Sequence, residues 1–160
     1  MRSTRARAER GDAAADRSGE ALLSVRDLSV DFVATSGSTR VVDRVSFDVR
    51  AGEKFALVGE SGSGKTVTAL SVLRLNADAR YAGSVRFEGR ELLAASEREL
   101  RGVRGREIAM IFQEPMSALN PLYPIGDQIC EAIERHEGVS RAQATRRAIE
   151  LLERTRVPEP

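Results

Sequence analysis

One cysteine, one histidine, no long apolar run and almost no net charge are found among the 160 residues of this chain. Each shortage removes a class of function. Cys130 has no second cysteine for an internal disulfide, and on a helix it reads as a small buried hydrophobe, not a nucleophile. His136 follows the apolar face of a helix and precedes Glu137-Gly138, which suits a solvated helix-end residue better than a ligand. The longest apolar stretches are like Ile108–Phe112, far short of the roughly 18 residues that a membrane span needs. Any membrane role is therefore expected to come through a partner. With 25 basic and 24 acidic residues the net charge is +1, so no overall field favours nucleic acid or an anionic membrane. No secretory pattern opens the sequence, and with a single cysteine this leads to the expectation of a reducing cytosol.

Residues 1–20 also lack hydrophobic periodicity. They hold five arginines against four acidic residues and are expected to form a disordered tail. Glu9, Asp12 and Asp16 argue against an acidic-poor transit peptide. The remainder, at an overall apolar content of 41%, allows one domain with a modest core.

What the sequence does contain is Gly59-Glu60-Ser61-Gly62-Ser63-Gly64-Lys65-Thr66, with the spacing G-x-x-x-x-G-K-[ST]. Glycines let consecutive backbone N–H groups turn inward around phosphate oxygens without a Cβ in the way, and a following helix aims its positive end at them. In this pattern the lysine supplies a point charge to the β- and γ-phosphates, and the hydroxyl of Thr66 completes a Mg²⁺ shell. A chance match in a chain this long has odds of roughly one in two hundred. Context lowers them further, because Lys54–Val58 reads as a buried strand and Val67–Leu75 as an apolar helix, the order that the motif requires.

Around this core, Leu23, Val25, Leu28, Val30 and Phe32 form an alternating strand interrupted at Arg26-Asp27. Val41–Val49 alternates again, and the two are expected to pair antiparallel. Phe32 is either core or a platform for a nucleotide base. Gly83–Phe87 reads as a strand ending in a turn at Glu88-Gly89-Arg90, Glu97–Val103 as a short charged helix, and Glu107–Phe112 as a second apolar strand. Three of the five prolines fall within Pro115–Pro124, a stiff loop that suits either a docking surface or an ordinary connector. Ile125, Ile129 and Ile133 define an amphipathic helix to His136. A capping box at Ser140–Gln143 opens a last helix that runs to about Arg154.

Two stretches together choose a family. Val58–Thr66 followed by Met110-Ile111-Phe112-Gln113-Glu114-Pro115-Met116-Ser117-Ala118-Leu119-Asn120-Pro121 resembles the ATP-binding subunits of ABC transporters, in the dipeptide/oligopeptide/nickel importer branch. The resemblance extends from about Leu22 to Pro160 and includes Gly126-Asp127-Gln128-Ile129 and the helix Arg147–Leu152. It implies an α/β fold: an incomplete P-loop NTPase domain of ABC type over residues 21–160, with an N-terminal antiparallel β subdomain and the start of a helical subdomain at about 125–156. It implies ATP and Mg²⁺ as cofactors, with Gly59, Glu60, Ser61, Gly62, Ser63, Gly64, Lys65 and Thr66 holding the nucleotide. Gln113 would be the glutamine that touches Mg²⁺ and the attacking water and senses the γ-phosphate.

The same resemblance implies partners: membrane-spanning permease subunits met near Glu114–Pro124, a second ATP-binding subunit, and indirectly a solute-binding protein. Nucleic acid is not among them. The expected place is the cytoplasmic face of the cell membrane, as a peripheral subunit. No stretch matches the family's Leu-Ser-Gly-Gly-Gln signature, its Walker B aspartate and catalytic glutamate, or its switch histidine. ATPase activity is therefore expected of a full-length subunit and not of these 160 residues alone. Such a polypeptide is also expected to be marginally stable, because the neighbours of the Lys54–Val58 strand would come from later in the chain. Two other readings stand beside this one: a non-hydrolysing nucleotide-binding fragment, and an ABC ATPase acting outside transport.

Overall fold

The computed structural model describes residues 7–9, 21–35, 37–113 and 119–158, with only the backbone at 7–9. It divides into two compact units, Met1–Leu100 and Arg101–Pro160.

The first unit is built on a four-stranded antiparallel sheet of order β3-β2-β5-β6, from β2 (Leu23–Ala34), β3 (Gly37–Val49), β5 (Ala79–Phe87) and β6 (Arg90–Glu91). Alternation places Val25, Leu28 and Val30 of the central strand fully inside, beside Val42, Phe47, Val85 and Phe87. The interruption at Arg26-Asp27 is a bulge. Both pairings of β2 shift register there, and Asp27 takes a left-handed φ of 47°. Gly83 faces the bulge at φ +98°, and a Cβ on it would lie 2.5 Å from the carbonyl oxygens of both Arg26 and Asp27. Two serines satisfy amides that the irregular ladder leaves over. The Asp27 N–H donates to Ser46 Oγ at 2.8 Å, and the Arg44 N–H to Ser29 Oγ at 3.0 Å.

Helix α1 (Lys65–Val72) packs on β2 and β3 through Thr68, Ser71 and Val72. Its buried hydroxyls are satisfied within the helix: Thr68 donates to the Gly64 carbonyl at 2.9 Å and Ser71 to that of Val67 at 2.6 Å. Asn76 closes the far end by donating to Ser71 Oγ and the Val67 carbonyl. Strand β4 (Ala56–Val58) enters the unit through Phe55, which stacks on Phe47 with ring centroids 4.9 Å apart. β4 pairs antiparallel with β1 (Arg7–Glu9). A strand thus stands in a stretch whose sequence predicts no regular structure, and its partner is the strand that leads into the glycine-rich loop.

At the other side of the sheet, the Glu91 carboxylate of β6 accepts from Ser84 Oγ and from the backbone N–H groups of Val85 and Leu93. Burial alone would raise its pKa, but these bonds and nearby Arg86 hold it below the usual carboxylate value. Helix α2 (Glu97–Val103) follows. Ser96 and Glu99 bond reciprocally at its start.

In the second unit, α3 (Ile125–Glu137) and α4 (Arg141–Arg154) form a helical hairpin. Gly138 ends α3 in a left-handed conformation, and the capping box at Ser140 and Gln143 opens α4. Cys130, Ile133, Ala144 and Ala148 form its core, flanked by Ile129, Val139 and Leu151. His136 is half-buried, and its ring lies against Gly105, where a Cβ would come within 2.9 Å of Nε2.

Three expectations need correction. The strand before the glycine-rich loop starts at Ala56 and not at Lys54, and it is not buried: Ala56 and Val58 are exposed and Leu57 is half-buried. The strand expected at Glu107–Phe112 is not formed. An isolated bridge between Arg104 and Ile108 is its only pairing among the described residues, and Ile111 is 94% exposed. A strand exists only through a partner, and apolar composition does not supply one. Strand β5 starts at Ala79, earlier than Gly83, because Arg80 and Tyr81 pair with β2 beyond the bulge. Residues 114–118, including the Gln-Glu-Pro motif after its first residue, lie outside the described residues.

Candidate functional site

Residues 59–64 connect the end of β4 to the start of α1, so the loop is fixed at both ends by elements of the first unit. Gly62 and Gly64 adopt left-handed φ values of 78° and 90°. Gly64 is also the N-cap of α1, and a Cβ there would approach the Val41 carbonyl oxygen to 3.0 Å and Val42 Cγ2 to 3.4 Å. Glycine is therefore required at 64 by backbone conformation and by the closeness of β3, in addition to any ligand. The Ser63 N–H turns back to the Glu60 carbonyl at 3.2 Å, which curls the loop.

Lys65 closes the curl. Its ammonium donates to the carbonyls of Gly59 at 2.8 Å and Glu60 at 2.6 Å, and lies 3.4 Å from Ser63 Oγ. The charge is thus held across the loop by neutral acceptors. A phosphate oxygen would make a stronger, charge-assisted bond to the same ammonium. The first turn of α1 contains no acidic residue of its own to offset its positive end. Thr66 is exposed in this first turn, where its hydroxyl is available to a hard cation. The structure accordingly brings together Gly59, Glu60, Ser61, Gly62, Ser63, Gly64, Lys65 and Thr66 as one loop and helix start.

Gln113 belongs to the second unit and is exposed. Phe32, the candidate base platform, is half-buried in β2 between Thr39 and Ala79. In the second unit the proline-rich stretch is neither helix nor strand over residues 119–124, and Gln128 of α3 is hydrogen-bonded to it. The sequence marks Gln128 only as part of a family-like stretch, since nothing local identifies which backbone groups a side-chain amide will meet.

A polar cleft of about 340 Å³ lies elsewhere on the first unit, lined by Ser24, Arg26, Asp48, Arg50 and Arg86 among others. Asp48 binds Arg26 at 2.7 Å, and Glu91 lies 3.7 Å from Arg86, so carboxylates already engage two of its three guanidinium groups. The cleft is an ion-paired sheet face.

Residues 42–159 match the family model described as ABC transporter. A probable peptide ABC transporter ATP-binding protein from Sinorhizobium fredii is 49% identical over 142 residues, which are 87% of this chain and 42% of that protein. A peptidoglycan transport ATP-binding protein from Agrobacterium fabrum is 51% identical over 87% of this chain and 26% of its own length. An oligopeptide transport ATP-binding protein from Bacillus subtilis is 44% identical over 87% of this chain and 40% of its own length. The chain therefore spans less than half of each of these relatives.

Proposed function

Because the chain belongs to the ABC transporter family, we propose that it binds Mg-ATP at Gly59–Thr66 and that, within a full-length subunit, ATP binding and hydrolysis drive solute import through partner permease subunits. Nucleotide binding follows from the family. Magnesium, the permease and the solute class belong to this proposal. The observation that carries it is the Lys65 ammonium held across a glycine-rich loop at the acid-free start of α1. Backbone N–H groups of the loop and α1 would bind the phosphates, and Lys65 would leave its two carbonyls for them.

Thr66 and Gln113 are the oxygen donors assigned to magnesium, a cation that prefers oxygen ligands. Bound magnesium neutralises phosphate charge. Gln113 also keeps the assignment as the residue that orients water and senses the γ-phosphate. The names of the relatives favour peptides or similar solutes as cargo. The partners proposed are membrane-spanning permeases, a second ATP-binding subunit and, through them, a solute-binding protein, at the cytoplasmic face of the membrane. Among the described residues no helix is long and apolar enough to cross a membrane, so attachment would be through those partners.

Competition among nucleotides tests the reading. If the loop reads phosphates, ATP and ADP displace a fluorescent ATP analogue, while AMP is weaker by about tenfold or more because it lacks the β-phosphate that Lys65 would meet. Equal displacement by AMP and ATP would place recognition on the base and contradict the proposal. A second reading is a nucleotide-binding chain without hydrolysis. Phosphate release measured on the same sample separates the two.

A further inference from the structure

We propose that Gln128 is a positioning residue that locks the Asn120–Tyr123 turn to the first turns of α3, so that the turn and the helix move together. The proposal rests on the transport reading above and on the permease contact that the resemblance implies near Glu114–Pro124, the stretch to which this turn belongs. Gln128 commits both ends of its amide to the turn. Nε2 donates to the carbonyls of Asn120 and Tyr123, each at 2.9 Å, while Oε1 accepts the Asn120 N–H at 2.9 Å. Asn120 extends the network, its Oδ1 accepting the Leu122 N–H at 3.0 Å. Residues 120–123 are neither helix nor strand, and beside one backbone bond, from the Tyr123 N–H to the Asn120 carbonyl at 3.3 Å, this side-chain network satisfies the Asn120 and Leu122 N–H groups and the Tyr123 carbonyl.

The chemistry specifies glutamine. Glutamate has no N–H for the two carbonyls, and lysine has no acceptor for the Asn120 amide. A turn held in this way presents Leu122, Tyr123 and Ile125 at 85%, 61% and 54% exposure, which is expensive to maintain on a surface with no partner. Preorganisation lowers the cost of docking, because the turn does not have to be ordered on contact.

The test compares the full-length subunit with Gln128→Ala and Gln128→Glu, using three readouts. Amide hydrogen exchange at Asn120 and Leu122 reports the lock. Mg-ATP affinity reports the phosphate loop. Retention of co-expressed permease subunits on the immobilised subunit reports docking. In Gln128→Ala, exchange at Asn120 and Leu122 is expected to accelerate about tenfold or more, and permease retention to fall about tenfold, with Mg-ATP affinity within about twofold of the parent. Gln128→Glu keeps an acceptor for Asn120 but loses both donors, so it is expected to lose retention as well. Faster exchange with unchanged retention would overturn the proposal, and so would unchanged exchange. A parent subunit that retains no permease would instead overturn the transport reading, and this inference with it.

Discussion

At the scale of single residues, the phosphate loop combines two kinds of constraint that the motif does not separate. Lys65, which we propose meets the phosphates, has its charge parked on neutral carbonyls. Gly64 is a packing residue as much as a cradle residue, because β3 passes so close to it. Gly64→Ala is therefore expected to weaken nucleotide binding and also to cost the nucleotide-free protein about 1–3 kcal/mol, from a left-handed non-glycine residue and a Cβ against the Val41 carbonyl. Denaturant unfolding without nucleotide checks this. Unchanged stability with lost binding would mean that β3 yields easily at that point. The eight-residue spacing made the loop legible from sequence, since each position acts on its immediate neighbours. The approach of Val41 was not legible, because residues 23 positions apart are brought together only by the sheet.

Elements show the same division between local and distant causes. The hairpin helices were readable because apolar spacing, the box at Ser140 and the terminal Gly138 are local signals. The break in alternation at Arg26-Asp27 was visible too, but its meaning as a bulge opposite Gly83 needed the partner strands. Ile108–Phe112 has strand composition without a strand, since pairing is settled elsewhere in the polypeptide.

Two predictions belong to this scale. The depressed pKa of Glu91 means that the folded protein binds its proton more weakly than the unfolded chain does. Its stabilising contribution is thus complete above the ordinary carboxylate value and is lost as pH falls through the lower folded value. Near neutral pH, Glu91→Gln is expected to cost about 1 kcal/mol, since an amide replaces a carboxylate that accepts three hydrogen bonds. The gap between parent and variant should close in acid. A gap independent of pH would assign the loss to packing.

The second prediction concerns β1 against β4. Antiparallel ladders use alternate amides, so one of Ala8 and Glu9 has its N–H in the ladder with β4. Proline at that position should speed exchange of the Ala56–Val58 amides about tenfold, with Val25 and Val30 of β2 unaffected. No change with either Ala8→Pro or Glu9→Pro would show that β4 does not depend on this pairing.

For the molecule as a whole, the sheet unit and the helical hairpin each have their own buried residues. The sheet supports α1, and α1 fixes the phosphate loop. Family membership gives this unit its meaning: an ABC transporter domain implies nucleotide binding, and the loop is where we propose that it takes place. The most direct test is calorimetric titration of Mg-ATP into the chain and into Lys65→Ala. Saturable binding by the parent, weakened at least about tenfold by loss of the ammonium, is the result expected of a working phosphate cradle. Equal binding by a folded Lys65→Ala variant, or no binding by a folded parent, would contradict it.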